Sequence, residues 1–172
     1  MTKSNIEALA KENAFDLIGK QWMLVTAGTE EKFNTMTVSW GGIGWLWNRA
    51  VAFIFIRPER YTYEFIEAQE RLTLSVLPEE YRKALQLCGS KSGRDMNKVE
   101  AAGLHPVKTE AGTIGFEEAR LTLSCRKLFR TEMEECNFLD KDILSRWYND
   151  QSGGSFHAVY VLEIEDVYEG DK

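Results

Sequence analysis

Apolar and polar positions change period several times along the chain, and each change marks an element. From about Ser4 to Ala14 the spacing of Ile6, Leu9 and Ala10 is helical, and Phe15, Leu17 and Ile18 extend the apolar content. Met23 to Ala27 reads as a strand, Gly28-Thr29-Glu30-Glu31-Lys32 as a polar turn, and a second strand opens at Asn34, so a hairpin is the simplest pairing. Val51 to Ile56 is continuously apolar, the pattern of a strand covered on both faces, and Pro58 stops it. A short helix follows from Tyr61 to Ala68 with Phe65 and Ile66 inward, then a strand from Leu72 to Leu77. Pro78 suits the first position of a helix whose Tyr81, Leu85 and Cys88 share a face before Gly89 ends it. Asp95 is placed to cap another short helix that stops at Gly103.

The clearest alternation runs from Phe116 to Phe129, where Ala119, Leu121, Leu123 and Cys125 interleave with Arg120, Thr122, Ser124 and Arg126. It predicts a strand with one buried and one polar face. Asp140 can cap a helix carrying Ile143, Leu144, Trp147 and Tyr148, ended by Gly153-Gly154. The last strand spans Phe156 to Val167, with Phe156, Ala158, Tyr160, Leu162 and Ile164 on one side. About six strands with short inserted helices, and no repeat or linker, predict a single mainly antiparallel β domain over residues 1–172, a barrel or sandwich rather than a doubly wound sheet.

Composition narrows the function classes. Apolar residues make up 44% and charged residues 28%, a globular balance, and the formal net charge is −6. That charge argues against a broad nucleic-acid or anionic-membrane surface, so clustered basic residues point to a small local site. No apolar run has the length of a membrane span, and the first residues lack a signal-peptide core, which leads to the expectation of a cytoplasmic protein. Cys88, Cys125 and Cys136 form no disulfide framework, and His105 and His157 form no metal-type pair, so neither metal nor cysteine chemistry is expected. No residue stands out as a catalytic acid or base.

Three segments carry chemistry. In the first, Asn34 to Trp47, Thr35, Thr37 and Ser39 alternate with Met36, Val38 and Trp40 before a loop rich in glycine and tryptophan. Hydroxyls in a row, amides beside glycines and flat side chains suit a planar heterocycle with a polar edge, and the same residues also make a half-buried strand and turn. The second and third, Arg57-Pro58-Glu59-Arg60-Tyr61-Thr62 and Gly89-Ser90-Lys91-Ser92-Gly93-Arg94-Asp95, join regular elements to following helices. Helix starts favour anions, Thr62 can add a hydroxyl, and Arg57 or Arg60 a fork for phosphate oxygens. Ser90, Lys91, Ser92 and Arg94 gather donors around Gly93, unless Gly89 is simply the residue past a helix end and the rest a solvated basic turn. Together the segments suggest a ligand with a ring and a phosphate.

Familiar alternatives fail on spacing. Gly42-x-Gly44 has Trp47 where a dinucleotide fingerprint needs glycine, and Arg94 replaces the second glycine of a phosphate-binding loop opened at Gly89. Ser124-x-x-Lys127 lies on an alternating strand, which sends the two side chains to opposite faces.

In these three motifs, their order and their spacing, the chain resembles the flavin reductase-like, FMN-binding split-barrel proteins, flavoredoxin among them, from roughly Ala14 to Val167. The resemblance implies a closed antiparallel barrel, a homodimer, and one FMN per subunit near the dimer interface. It implies Asn34, Thr35, Met36, Thr37, Ser39 and Trp40 along the isoalloxazine and ribityl, and Arg57, Tyr61 and Thr62 at the phosphate. Ser90, Lys91, Ser92 and Arg94 would close over that phosphate or an incoming dinucleotide; Trp45 and Trp47 would border the ring or the partner subunit. Ala50 follows Arg49 where many members have proline. The implied activity is an FMN-binding oxidoreductase taking hydride from NADH or NADPH and passing electrons to free flavin or a protein acceptor. A flavoredoxin-type electron carrier, or a non-redox binding module on the same barrel, are the alternatives.

Overall fold

The structure, a computed structural model, describes residues 1–149 and 154–170. Among the described residues, ten strands and five helices follow one another in the order β1 (Thr2–Ser4), α1 (Ala14–Gly19), β2 (Met23–Gly28), β3 (Phe33–Val38), β4 (Gly41–Leu46), β5 (Arg49–Ile56), α2 (Tyr61–Ala68), β6 (Arg71–Val76), α3 (Arg82–Ser90), α4 (Lys98–Ala101), β7 (Pro106–Lys108), β8 (Ile114–Phe116), β9 (Leu121–Glu132), α5 (Asp142–Trp147) and β10 (Ala158–Glu169). The N-terminal expectation of one helix is corrected. Asn5 accepts the Glu7 amide at 2.8 Å to start a 3₁₀ turn over Ile6–Lys11, and Asn13 accepts the Phe15 amide at 3.0 Å to start α1. Two side chains that compete for backbone donors thus divide the segment.

The expected β2–β3 hairpin forms with Met23 opposite Val38 and Gly28 opposite Phe33. The large sheet is antiparallel throughout, in the order β3-β2-β6-β9-β10-β5-β4, with β1 also paired to β10. The closed barrel is corrected: β3 and β4 are the two ends of this path and do not pair. Gly41, at φ +140°, turns the chain away after Trp40, so β4 folds back on β5 instead of continuing β3. The barrel is split along β3.

Inside the curve, Met36, Val38, Ile54, Ile56, Ile66, Leu72, Leu74, Leu123, Tyr160 and Leu162 form the main core. On β10 the alternation Ala158, Tyr160, Leu162, Ile164 jumps to Val167, because a bulge removes Glu165 from the register with β9. A second core lies outside the sheet, where Leu24 and Phe116 meet Leu85 and Cys88 of α3.

The Phe116–Phe129 strand is corrected too. It breaks between β8 and β9 because β8 turns to pair with β7, and this small hairpin covers the polar face of its neighbours. Thr26, Thr73, Ser75, Thr122 and Ser124 are consequently buried. Their hydroxyls satisfy one another: Ser75 Oγ lies 3.2 Å from Thr122 Oγ1, Ser124 Oγ 3.1 Å from Thr113 Oγ1, and Thr73 donates to the Ile114 carbonyl. Among the described residues no helix is long and apolar enough to cross a membrane.

Candidate ligand-binding site

The three motifs meet at the split. Gly93 packs against Asn34 and Tyr61 so closely that a Cβ built there would fall inside the van der Waals shell of Asn34 Oδ1 and 3.1 Å from Tyr61 Cδ1. Asn34 in turn donates from Nδ2 to Thr62 Oγ1 at 2.8 Å. One residue from each motif therefore shares a single contact cluster.

Helix ends here differ from the sequence reading. Gly89 lies within α3, which runs to Ser90, and does not end it; its missing Cβ matters because one would sit 3.3 Å from Thr37 Cβ. Thr37 donates its hydroxyl to the Leu85 carbonyl of the same helix. Asn97, not Asp95, caps α4, accepting the Glu100 amide at 3.3 Å. Pro78 opens a 3₁₀ turn before α3 instead of occupying its first position. Asp140 accepts the Asp142 amide at 3.0 Å at the start of α5. Of the glycine pair expected to end that helix, Gly153 lies outside the described residues and Gly154 has φ +70°.

Two cavities adjoin here. A slot of 180 Å³ is walled by Met36 to Trp40 of β3 and its exit, Phe55, Arg57, Arg60 and His157. A pocket of 300 Å³ is walled by Glu59 to Thr62, Ser90 to Arg94, and Lys98. Arg60 belongs to both walls. A wider cavity of 850 Å³ opens beyond Gly93, but its wall mixes Glu31, Asp95 and Glu100 with Lys32, Arg94 and Lys98 and selects neither sign of charge.

The expected site residues divide between these cavities. Ser39, Trp40, Thr37 and Met36 line the slot; Tyr61, Thr62, Ser90, Lys91, Ser92 and Arg94 line the pocket. Three residues are placed differently from the expectation. Thr35 lies on the opposite face of β3 from the core, fully buried, with its hydroxyl 2.9 Å from Thr26 Oγ1. The row of hydroxyls is therefore partly a packing device of the hairpin, and Asn34 reaches Thr62 rather than the slot. Arg57 lines the slot and not the pocket. It donates to the Trp147 carbonyl at 2.7 Å, lies 5.4 Å from the Tyr148 ring centre, and ties the end of α5 to β5.

Three further residues shape the site. Arg60 donates to the Gly89 carbonyl at 2.7 Å. Lys98, 4% exposed, donates to the neighbouring Cys88 carbonyl at 3.2 Å, and burial pushes its pKa down to about 8, with Arg60 nearby adding to the depression. His157 sits 2.9 Å from the Tyr148 hydroxyl through Nδ1, and its ring centre is 5.2 Å from that of Trp40. Burial first, then the Arg57 charge, lowers its pKa to about 4, so it is neutral at ordinary pH. Arg60 stands in a motif already singled out, but Lys98 reads as one charge on a short polar helix and His157 as a lone histidine on an apolar strand. Nothing in their spacing brings them to the split.

Residues 15–172 match the family model described as the flavin reductase like domain. The chain belongs to that family. Known structures share the fold at low identity. An FMN-binding protein from Thermus thermophilus with bound p-hydroxybenzaldehyde is 20% identical with a TM-score of 0.66, over 87% of this chain and 71% of that one. Flavoredoxin from Methanosarcina acetivorans is 19% identical with a TM-score of 0.66, over 88% and 69%. An NADH:FAD oxidoreductase from Streptomyces globisporus C-1027, in complex with NAD and FAD fragments, is 15% identical with a TM-score of 0.62, over 87% and 74%. No curated protein matches the chain significantly.

Proposed function

We propose that this member of the flavin reductase-like family is an FMN-binding oxidoreductase that takes hydride from NADH or NADPH and passes electrons to free flavin or a protein acceptor. The observation that carries the reading is the two-part site joined at Arg60: a slot edged by Trp40 and His157, continued by a pocket rich in hydroxyls and cations. That sequence of surfaces suits a flat ring followed by a chain ending in phosphate. FMN, when bound, supplies the hydride and electron chemistry.

The chain's own contribution is orientation and exclusion. Trp40 offers an aromatic wall, held by the edge of Trp147 at a ring-centre distance of 5.1 Å. The Tyr148 hydroxyl has two acceptors within reach, His157 Nδ1 at 2.9 Å and Met133 Sδ at 3.2 Å. An imidazole nitrogen is the stronger acceptor, which puts the ring proton of neutral His157 on Nε2 as a donor for a ligand's polar edge. The flavoredoxin-type carrier remains a second reading because α5 stands against Trp40 at the slot's edge and narrows the approach of a second ring.

The proposal extends to the assembly. Trp45, Trp47 and Phe129 are 68%, 56% and 47% exposed, with Trp47 and Phe129 in edge contact, and β4 is an end strand of the sheet. An apolar surface of this kind suits burial against a second copy. Purified protein that takes up no FMN would end the flavin reading. FMN uptake together with NADH or NADPH oxidation supports the reductase, and FMN uptake without such oxidation supports the carrier.

A further inference from the structure

The segment between β9 and β10 carries apolar side chains that its own packing leaves uncovered. Phe138, Tyr148 and Phe156 gather into a small aromatic core, with ring centres 5.4, 5.6 and 5.0 Å apart. Arg57 ties that segment to β5 through the Trp147 carbonyl. Leu139 stands outside this core and is 98% exposed; Ile143 and Trp147 are exposed too. The last two lie four residues apart in α5 and share a helix face. Trp147 also meets the exposed Trp40 edge to face at 5.1 Å, and Trp40 lines the slot. The uncovered patch therefore begins at the slot itself.

Charge separates the surfaces that could cover it. Glu134, Glu135, Asp140 and Asp142 are exposed in the same segment, against Lys141 and Arg146. Lys141 donates to the Glu135 carbonyl at 3.4 Å. A second copy paired about this patch by a two-fold axis sets carboxylates against carboxylates. The Trp47 and Phe129 face differs, because Arg49 and Arg126 there are matched by Glu163 on the same chain. An apolar centre with an acidic rim suits a foreign surface with a basic rim.

We infer that the segment from Glu134 to Trp147 docks a one-electron redox protein whose apolar contact face is ringed by lysine or arginine, and that electrons leave the site there. The electron path rests on the flavin reading above; the docking surface does not. Each encounter passes one electron from reduced flavin to the partner's oxidised metal centre. Two encounters return the flavin to its oxidised form and release two protons to water. A partner seated on Trp147 stands one aromatic contact from Trp40, so the helix that narrows the approach of a free ring serves a protein acceptor.

The probe is ferricytochrome c, a basic haem protein. Its association with the purified protein is measured by calorimetry at low and high salt, and its reduction by the FMN-loaded, chemically reduced protein by stopped flow. A combined Glu134→Gln, Asp140→Asn and Asp142→Asn protein should lose about 10-fold in low-salt affinity and in reduction rate, and match the parent at high salt. Asp140→Asn keeps an oxygen for the Asp142 amide that starts α5. Arg146→Gln should tighten association by about 2- to 3-fold, a change of sign that a purely structural effect does not produce. Leu139→Ser, altering a side chain almost wholly in solvent, should weaken it by about 3- to 10-fold at an unchanged melting temperature. FMN affinity should stay within about twofold of the parent in every variant. Equal association and reduction in the parent and the charge variant overturn the inference and leave the flavin reading standing; so does a parent that does not bind the probe at low salt, or binds without reducing it. A protein that takes up no FMN yet binds the probe through these residues keeps the docking surface and loses the flavin reading. A solution mass that falls from two chains to one in Leu139→Ser gives the patch to a second copy and overturns the inference.

Discussion

Gly93 and Asn34, far apart in the chain, touch so closely that no side chain larger than hydrogen fits between them. The contact holds the third motif against the first and sets the spacing of the pocket wall. Gly93→Ala should therefore destabilise the fold by about 1–3 kcal/mol, the usual range for overpacking. Because the clash is with the Asn34 carboxamide, Asn34→Ala should recover part of that loss. A double-mutant cycle by urea denaturation measures the coupling, and strictly additive losses would show that the two residues do not meet.

His157 predicts an acid-sensitive fold. Its pKa is lowered to about 4 in the folded protein from an ordinary value near 6.5, with burial as the main cause. Between these values the unfolded chain binds a proton that the folded chain refuses, so stability falls as pH drops from about 6.5 to 4. The full contribution is on the order of 3 kcal/mol. Urea midpoints across this window should show the decline in the parent protein and a smaller one in His157→Gln; parallel curves would mean that the ring is hydrated.

Trp40 addresses the other end of the site. Replacing it with alanine removes the wall beside His157 and the edge contact from Trp147. FMN and riboflavin should then weaken together by about 3- to 10-fold, the scale of a lost aromatic contact. Equal weakening of the two flavins places the ring in the slot, whereas a loss confined to FMN would put the phosphate there.

The exposed pair Trp47 and Phe129 makes a prediction about assembly. If a second copy covers them, the parent protein should have the solution mass of two chains, and Trp47→Glu should shift it towards one without lowering the melting point of the separated chain. A parent mass of one chain at micromolar concentration refutes the pairing.

How much of this was legible depends on range. The β2–β3 hairpin, the α2 span from Tyr61 to Ala68 and the two long C-terminal strands could be read from periodicity and turn residues, because local sterics and solvent contact decide them. The break after Phe116 could not. Thr122 and Ser124 look like a solvated face until the β7–β8 hairpin, brought from elsewhere in the chain, covers them. Gly89 looked like a helix stop because its role, close approach to Thr37, concerns a partner 52 positions away in the chain.

The amino-acid order by itself determined the antiparallel β class, the three chemical motifs and their resemblance to one family, since these rest on residue type and spacing. Tertiary structure alone decided which side chains face the split. The gap between β3 and β4 was set where β4 folds back on β5 after Gly41, and the convergence of Arg60 and Lys98 on one pocket wall by where α3 ends. A charge on a short polar helix looks solvated in any linear reading; only packing removes the water and leaves Lys98 buried beside an open pocket.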